Sequence, residues 1–522
     1  MKRRGSAGAG APDTFIHDLL SVITGIVFGA LVTRTAGSSA LFVFAFVCVH
    51  LRLVRQILLG GPAFGADGTV ALQLRKKDWK SVLFIQRYAI VIQVLFTLLL
   101  AAGVYGLIRF VPGILPGMEK AAETLEMLEK AALPCAAAVL AMGIETLYAG
   151  MLEGLNRMRT CMIAQLTQVI VRCGGMIAVW HLAAGKPGAV WVSGFLYSVC
   201  AGALGASVYM HLALQKAGEA LQKNAQNQSR AASPRKKVRS LFYAWFGSSM
   251  GIALCIGLMT AVPFWIALYR GFDQAGLAFM QGGAGLLFWL PFLAVYGVGE
   301  DGFASAAKAS GSRNGDALRA SWLLCAGRYL YIAVPIGFSV IVLAPQLMHI
   351  LFDMKSSAFE LIVILQGADG VVQGLIALIA KLMIILQFGG SCVLYLFVGL
   401  LIRSGLTWVL VNNMGIWGMY LAGWISALAV LFLCMAKLHN RFEFSGMRTF
   451  LHLLKILAAC MCMNGLYAAA EMAGFAGLAS TAGASLVQFA VILAGGAAVY
   501  YLISRIMQVP QALYPSRRRR QS

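Results

Sequence analysis

Leu41–Gly61 reads LFVFAFVCVHLRLVRQILLGG, and the fold turns on how this stretch is read. It is long and apolar enough to cross a bilayer as a helix, yet it carries Arg52 and Arg55. Residues three apart share one helix face, so both guanidiniums point the same way. Insertion scales put an arginine at mid-membrane at about 2.5–3.5 kcal/mol, so such residues face a bundle interior, a wet cavity or a route to the headgroups. With the helix ending at Gly61, Arg55 lies roughly 9 Å and Arg52 about 13 Å from that end, at about 1.5 Å per residue. Arg55 is then within snorkelling reach of lipid phosphates and Arg52 less so. A cavity is open to both.

The rest of the chain supports a membrane setting. Of 522 residues, 60% are hydrophobic and 12% charged, and the mean hydropathy is +0.79. A soluble domain carries about 25% charged residues, so the chain reads as an all-α, polytopic membrane protein. A net charge of +22 in a soluble chain would point to nucleic acid. Here the basic residues fall in short loops and tails, where they set topology and meet anionic lipid, so no nucleic-acid partner is expected. The cysteines, such as Cys48, Cys135 and Cys161, lie almost all in apolar segments with no CxxC or Cys/His spacing. They read as small buried hydrophobes, and neither metal nor other cofactor is expected. The basic N-terminus resembles a signal n-region, but the apolar run after it is too long for a cleaved peptide and reads as the first span.

Windows of about 20 apolar residues give about fourteen spans. Six run from Phe15 to Leu214, six from Leu241 to Ala436, and two more, Phe450–Ala470 and Ala484–Ile506, precede the tail. The polar stretch QKAGEALQKNAQNQSRAASPRKKVR separates the sixes. This predicts an N-terminal lobe over 1–215, a linker over 216–239, a second six-helix lobe over 240–437, and a C-terminal helix pair with basic tail over 438–522. Repeated halves of this kind are a transporter layout. With a cytoplasmic N-terminus the even-numbered loops should be basic. They hold Arg75, Lys76, Lys77 and Lys80, then Arg157 and Arg159, then Arg235, Lys236, Lys237 and Arg239, then Lys437, Arg441 and Arg448. Lys2, Arg3, Arg4 and Arg517 to Arg520 fall on the same side. Both termini are therefore expected in the cytoplasm.

Few ionisable groups lie deep in the spans. Arg172 of the fifth is roughly 17 Å from the helix end at Cys161, and Glu145 of the fourth could neutralise it. Arg270 closes the seventh span, at a cavity mouth or snorkelling. Arg328 lies in the ninth, Asp369 and Lys381 in the tenth, and Arg403 in the eleventh. Asp369 and Arg403 stand near mid-depth on consecutive spans, which predicts an ion pair, structural or involved in coupling. Glu145, Arg172, Asp369, Lys381 and Arg403 are thus candidates for coupling or structural pairs. His50, two residues from Arg52, reads as a packing residue. His17 and Asp18 sit at the start of the first span, and GEDG at 299–302 lacks the aspartate clusters of prenyl-phosphate transferases. No catalytic constellation emerges, so an enzyme is not expected.

Several stretches together carry a family likeness. VTRTAG, FVFAF and LRLVRQILLGGPAFGADGTVALQLRKKDWKSV open it, and YAGMLEGLNRMRTCMIAQLTQVIVR continues it. It returns in GDALRASWLLCAGRYLYIAVPIGFSVIVLAPQLMHILF, LIAKLMIILQFGG and GIWGMYLAGWISAL. From about Phe15 to Lys437 the chain resembles flippases of the MOP superfamily, notably MurJ-type lipid II flippases and SpoVB-type polysaccharide transporters. The resemblance implies two six-helix lobes about a central cavity, alternating access, and export of an undecaprenyl-diphosphate-linked sugar across a bacterial plasma membrane. It maps the family's second-span arginines onto Arg52 and Arg55, its ninth-span arginine onto Arg328 and its tenth-span lysine onto Lys381. With Arg270 from the residues themselves, the candidate substrate-binding set is Arg52, Arg55, Arg270 and Arg328. The implied partners are a lipid-linked anionic glycan, membrane lipids and glycan-synthesis machinery. The chain departs from the family in the first span, IVFGALV at Ile26–Val32, and the eighth, AGLLFWLPF, which both lack the charged groups of MurJ-type proteins. Other lipid-linked glycans, such as an O-antigen or teichoic-acid precursor, stay open beside lipid II. So do a cation-coupled multidrug exchanger of the same superfamily, which would use Asp369 and Glu145, and a membrane-embedded polyprenyl-phosphate transferase.

Overall fold

The computed structural model describes residues 11–35, 37–114, 122–183, 185–228, 232–297, 303, 305–306, 315–442, 447–472 and 482–513. Both basic tails and the GEDG loop lie outside them. The described residues form helices joined by short turns, with no strand. Among the described residues thirteen helical stretches are long and apolar enough to cross a membrane, the irregular Gln274–Phe292 among them, and Val22–Thr35 of the first span is a shorter apolar helix. The protein is a multi-pass, all-α membrane protein.

The first span is α1 (Ala11–Thr35). The second differs from the expectation. It does not end at Gly61: α2 (Gly37–Leu58) runs through a π-helical turn, Leu59–Ala63, into α3 (Phe64–Arg75). Pro62 has no amide hydrogen to give the ladder, and Gly61 takes a non-helical backbone (φ −88°, ψ −133°), so the helix kinks and then resumes. Arg55 therefore stands twenty residues before Arg75, about 30 Å of helix path at the usual rise. The helix end from which the distances of Arg52 and Arg55 are counted is therefore not at Gly61.

α4 (Trp79–Phe110), α5 (Ala122–Gly154), α6 (Met158–Ala183), α7 (Gly188–Gln226) and α8 (Arg235–Tyr269) follow. α4 shows how such helices sort their faces. Ser81, Ile85, Ala89, Gln93, Thr97 and Ala101, spaced by four, are buried. Val91, Val94, Leu95, Leu98 and Leu99 are exposed, the face that meets hydrocarbon. Lipid tails are as apolar as leucine, so association here rests on close packing at small residues. The predicted eighth span, Leu277–Val298, is not one continuous helix. Its glycines and Pro291 break it into α9 (Gln274–Ala278), a π turn (Phe279–Gly283), a 3-10 turn (Ala284–Leu286), α10 (Trp289–Phe292) and α11 (Ala294–Gly297). Beyond lie α12 (Gly315–Val342), α13 (Ala344–Leu347), α14 (Ser357–Ile385), α15 (Gly389–Met414) and α16 (Ile416–Phe442). The last are α17 (Met447–Met472), α18 (Ala482–Ile506) and the short α19 (Val509–Leu513).

By their contacts these elements form two units. One comprises Met1–Arg34, Gly283–Phe388 and Tyr420–Ser522; the other, Thr35–Gly282 and Gly389–Met419. In the first, α12 packs on α14 and α17, and α17 on α18. In the second, α7 packs on α5 and α6, α4 on α5, and α8 on α2, α3 and α15. The linker 216–239 falls inside the second unit.

Within the second unit the linker is tied down. Asp78, the N-cap of α4, accepts from the Ser81 amide at 3.2 Å and the Ser81 hydroxyl at 2.7 Å. It also accepts from the Ser233 amide at 2.8 Å and the Gln228 side chain at 3.2 Å. Gln228 in turn accepts from the Lys80 amide at 3.2 Å. Burial would raise the Asp78 carboxyl, but the Ser233, Ser81 and Gln228 donors outweigh it and hold it at about 2. The folded group thus ionises more readily than its unfolded counterpart near 3.9. Its stabilisation is complete above about pH 4 and is lost as the pH falls toward 2. Asp78→Ala, which orphans these donors, is expected to cost about 2 kcal/mol. Amides 232–238 should exchange hydrogen at least tenfold faster in that variant; unchanged protection would show that the knot does not hold the linker.

Candidate functional site

The arginine pair of α2 is the natural centre. α2 is helical because an unbroken apolar run carries it, and its residues from Ala40 to Leu51 are buried. Arg52 is half-buried and donates through Nη2 to the Gln281 carbonyl at 3.2 Å. Its Nη1 lies 3.5 Å from Gln281 Oε1. Gln281 belongs to the π turn Phe279–Gly283, whose altered hydrogen bonding turns a carbonyl toward the guanidinium. Gly282 seats this turn on α2: an added Cβ there would stand 3.1–3.2 Å from Ala45.

Arg55, one turn further on, is exposed. It acts by charge on Glu145 of α5 and Arg172 of α6. Glu145 also accepts from Gln168 Nε2 at 3.0 Å. Glu145 and Arg172, expected as partners, also act on one another by charge. Arg55 of α2, Glu145 of α5 and Arg172 of α6 thus lie within reach of one another's charge, and Gln168 of α6 joins them through its hydrogen bond to Glu145. Gly202 of α7 makes room beneath them, because a Cβ there would meet the Gln168 carbonyl at 2.9 Å and Arg172 Cβ at 3.3 Å. Guanidinium forks in a setting of low dielectric are suited to a phosphate or diphosphate, which they can hold by paired charge-assisted hydrogen bonds.

His50 is a packing residue in this structure. Its Nδ1 hydrogen bonds to the Phe46 carbonyl at 2.6 Å, and its Nε2 accepts from Trp265 Nε1 at 3.0 Å. Both ring nitrogens are used, which fixes a neutral tautomer between Phe46 and Trp265.

The remaining candidates lie elsewhere. Arg270, at the end of α8, is exposed, stacks 4.8 Å above the Trp408 ring and donates to the Asn412 amide oxygen. Arg328 of α12 is 7% exposed and donates through Nε to the Leu513 carbonyl at 3.0 Å. This bond ties α12 to the C-terminal α19. Lys381 of α14 sits 4.6 Å from the centre of the Phe303 ring. Asp369 is buried and accepts from Gln373 at 3.2 Å. Asp369 and Arg403 belong to different units. Sequence reasoning missed Gln281 and Gln168. A lone glutamine in an apolar run was the available signal, but which arginine it meets depends on the turn at Phe279–Gly283 and on the α5–α6 packing.

A kinked helix carrying paired arginines, inside an all-α multi-pass protein, defines a class: a helical membrane protein with two arginines in one of its apolar spans. The fold itself is that of the MOP superfamily transporters. A MurJ lipid II flippase in an inward closed conformation matches with a TM-score of 0.62 at 15% identity, over 95% of this chain and 98% of that one. An inward-facing multidrug resistance MATE family transporter matches with a TM-score of 0.62 at 14% identity, over 82% and 96%. A MOP superfamily transporter from Pyrococcus furiosus, described as having a binding pocket of reversed polarity, gives 0.60 at 12% identity, over 84% and 96%. No protein-family model matches the sequence, and no curated protein matches it.

Proposed function

We propose that this protein is a flippase that moves a lipid-linked, undecaprenyl-diphosphate glycan or peptidoglycan precursor from the inner to the outer leaflet of a bacterial plasma membrane. The observation that carries this reading is the cluster of guanidiniums at α2: Arg52 and Arg55 stand one turn apart on it, and Arg55 acts by charge on Arg172 as well as on Glu145. Such a cluster attracts an anion and repels a cationic drug. The diphosphate binds the guanidinium forks while the prenyl chain stays in lipid. The lobes on either side of the linker then rock, with both termini in the cytoplasm, and the Gly60–Pro62 kink lets α2 bend below the arginines. An inside-negative potential favours outward movement of negative charge by about 2.3 kcal/mol per charge per 100 mV. The likeness to the lipid II flippase extends over 95% of the chain against 82% for the multidrug transporter, a difference close to the length of the α17–α18 pair.

A cation-coupled multidrug exchanger is the second reading, because the multidrug transporter fits with the same TM-score. It would work through Glu145 and Asp369. Proteoliposomes containing the purified protein decide between them, with translocation of a fluorescent lipid-diphosphate sugar run beside efflux of a cationic dye. Glu145→Gln with Asp369→Asn is expected to leave lipid movement within about threefold and to show no dye efflux to lose. Dye efflux that vanishes in this double variant, with no lipid-diphosphate movement in the wild type, would sink the flippase reading.

A further inference from the structure

The outer face of α4 carries a feature that transport by the α2 cluster does not use. Between α4 and α5 runs a cleft of about 240 Å³, walled by Ile90, Val94 and Leu98 on one side and Leu140, Ile144 and Tyr148 on the other. Ile90, Val94, Leu98, Leu140 and Ile144 are all exposed, so the cleft opens on the hydrocarbon side of these spans. Gly143 keeps its floor close, because a Cβ there would collide with Thr97. From Ile90 to Leu98 it covers about 12 Å of helix, near the depth of one leaflet in a hydrocarbon core of about 30 Å.

The end of the cleft nearest the basic loop is charged. Arg87 is three, seven and eleven residues before Ile90, Val94 and Leu98, so it stands on the same stripe of α4. It is exposed. Two more guanidiniums reach this level from α8. Arg235 lies 5.5 Å from the Phe84 ring, and Arg239 lies 5.6 Å from Phe84 and 5.0 Å from Tyr88. Tyr88 is itself fixed by a 2.6 Å hydrogen bond to Tyr243. Among the described residues none of these three arginines has a carboxylate within 4.0 Å. Three guanidiniums, two held on aromatic rings, thus stand where the polar end of α4 gives way to its lipid-facing stretch. Arginines and tyrosines at that level meet headgroups, and unpaired cations there attract anionic ones.

We propose that this face binds one anionic phospholipid of the surrounding bilayer, with an acyl chain in the α4–α5 cleft and the phosphate on Arg87, flanked by Arg235 and Arg239. The occupant is a resident lipid, distinct from the transported one: the cleft opens outward, and the arginines of α2 take no part in it. Such a lipid would clamp the second unit at α4, α5 and α8.

The test uses the full-length purified protein and phosphatidylglycerol, with phosphatidylcholine as the neutral control. Native mass spectrometry should show one phosphatidylglycerol retained at least tenfold more tightly than phosphatidylcholine. Arg87→Ala should lose about tenfold in that affinity, and Arg87→Lys should stay within threefold. Phosphatidylglycerol with a photoactivatable acyl chain should label peptides containing Val94 or Ile144, and excess phosphatidylglycerol should displace it. Equal retention of the two lipids would overturn the proposal, as would an unchanged affinity in Arg87→Ala. Labelling displaced by a polyprenyl diphosphate but not by phosphatidylglycerol would assign the cleft to the transported lipid and overturn it too. These readouts do not depend on which substrate the α2 cluster moves, so they can fail while the flippase reading stands, and the reverse.

Discussion

Arg52→Ala is expected to insert and fold normally, yet to move a lipid-diphosphate sugar at least a hundredfold more slowly than the wild type. Insertion should not suffer, because the substitution removes a charge that membrane insertion scales count at about 2.5–3.5 kcal/mol. Transport should suffer because Arg52 is half-buried and already oriented by the Gln281 carbonyl. Truncating one member of a desolvated charge pair with the substrate costs about 2–5 kcal/mol, and about 2.8 kcal/mol is a hundredfold. Arg55→Ala should be of similar severity, since Arg55 is the exposed member and is next to Glu145 and Arg172 by charge. Lysine at either position keeps the charge but loses the bidentate fork, so activity should fall only about tenfold. Rates are read as initial slopes of fluorescence loss in proteoliposomes at equal protein content. Wild-type rates in both alanine variants would show that the pair only meets lipid.

Gly150→Val should be as damaging by a different route. Gly150 lies on α5 where it crosses the π turn of the second span, and an added Cβ would run into the Ala63 carbonyl. The obstacle is backbone, which cannot rotate away as a side chain can. Either α5 retreats or the kink at Gly61–Pro62 is remodelled, and overpacking of this kind costs about 3 kcal/mol. Gly103→Val and Gly106→Val, on α4, meet nothing within 4 Å and serve as controls. The measurement is thermal unfolding of detergent-purified protein followed by size-exclusion chromatography. The Gly150 variant should melt several degrees lower than both controls or fail to accumulate. Equal melting of all three would show that the α5–α2 contact is not tight in the membrane.

The order of spans was legible because hydropathy over about 20 residues is a property of composition, and a bilayer leaves a helix few alternatives. Helix continuity was less so. Gly60, Gly61 and Pro62 read as a stop signal, which at the edge of a soluble helix they would be. Inside a membrane bundle, neighbours pack around the irregular turn, and the helix goes on to Arg75. The eighth span erred in the opposite sense, as one helix in prospect and a chain of short turns in fact. Nothing in AGLLFWLPF announces that Gln281 will turn a carbonyl to Arg52.

The sequence by itself determined the class of molecule, the rough placing of its spans and the shared helix face of Arg52 and Arg55. Each follows from local rules of length, charge and a period of 3.6 residues. Only the tertiary structure decided which charges meet. Arg328 is, like Arg52, an arginine in an apolar span, yet it donates to the Leu513 carbonyl 185 residues away. Arg55 comes within reach of the charges of Glu145 and Arg172 because α5 packs on α2 and α6 on α5. Asp78 acquires the linker because Ser233 returns to the start of α4. Pairings across such separations depend on how helices pack, and in lipid that packing is set by small residues and close contact rather than by hydrophobicity, which is uniform along these spans.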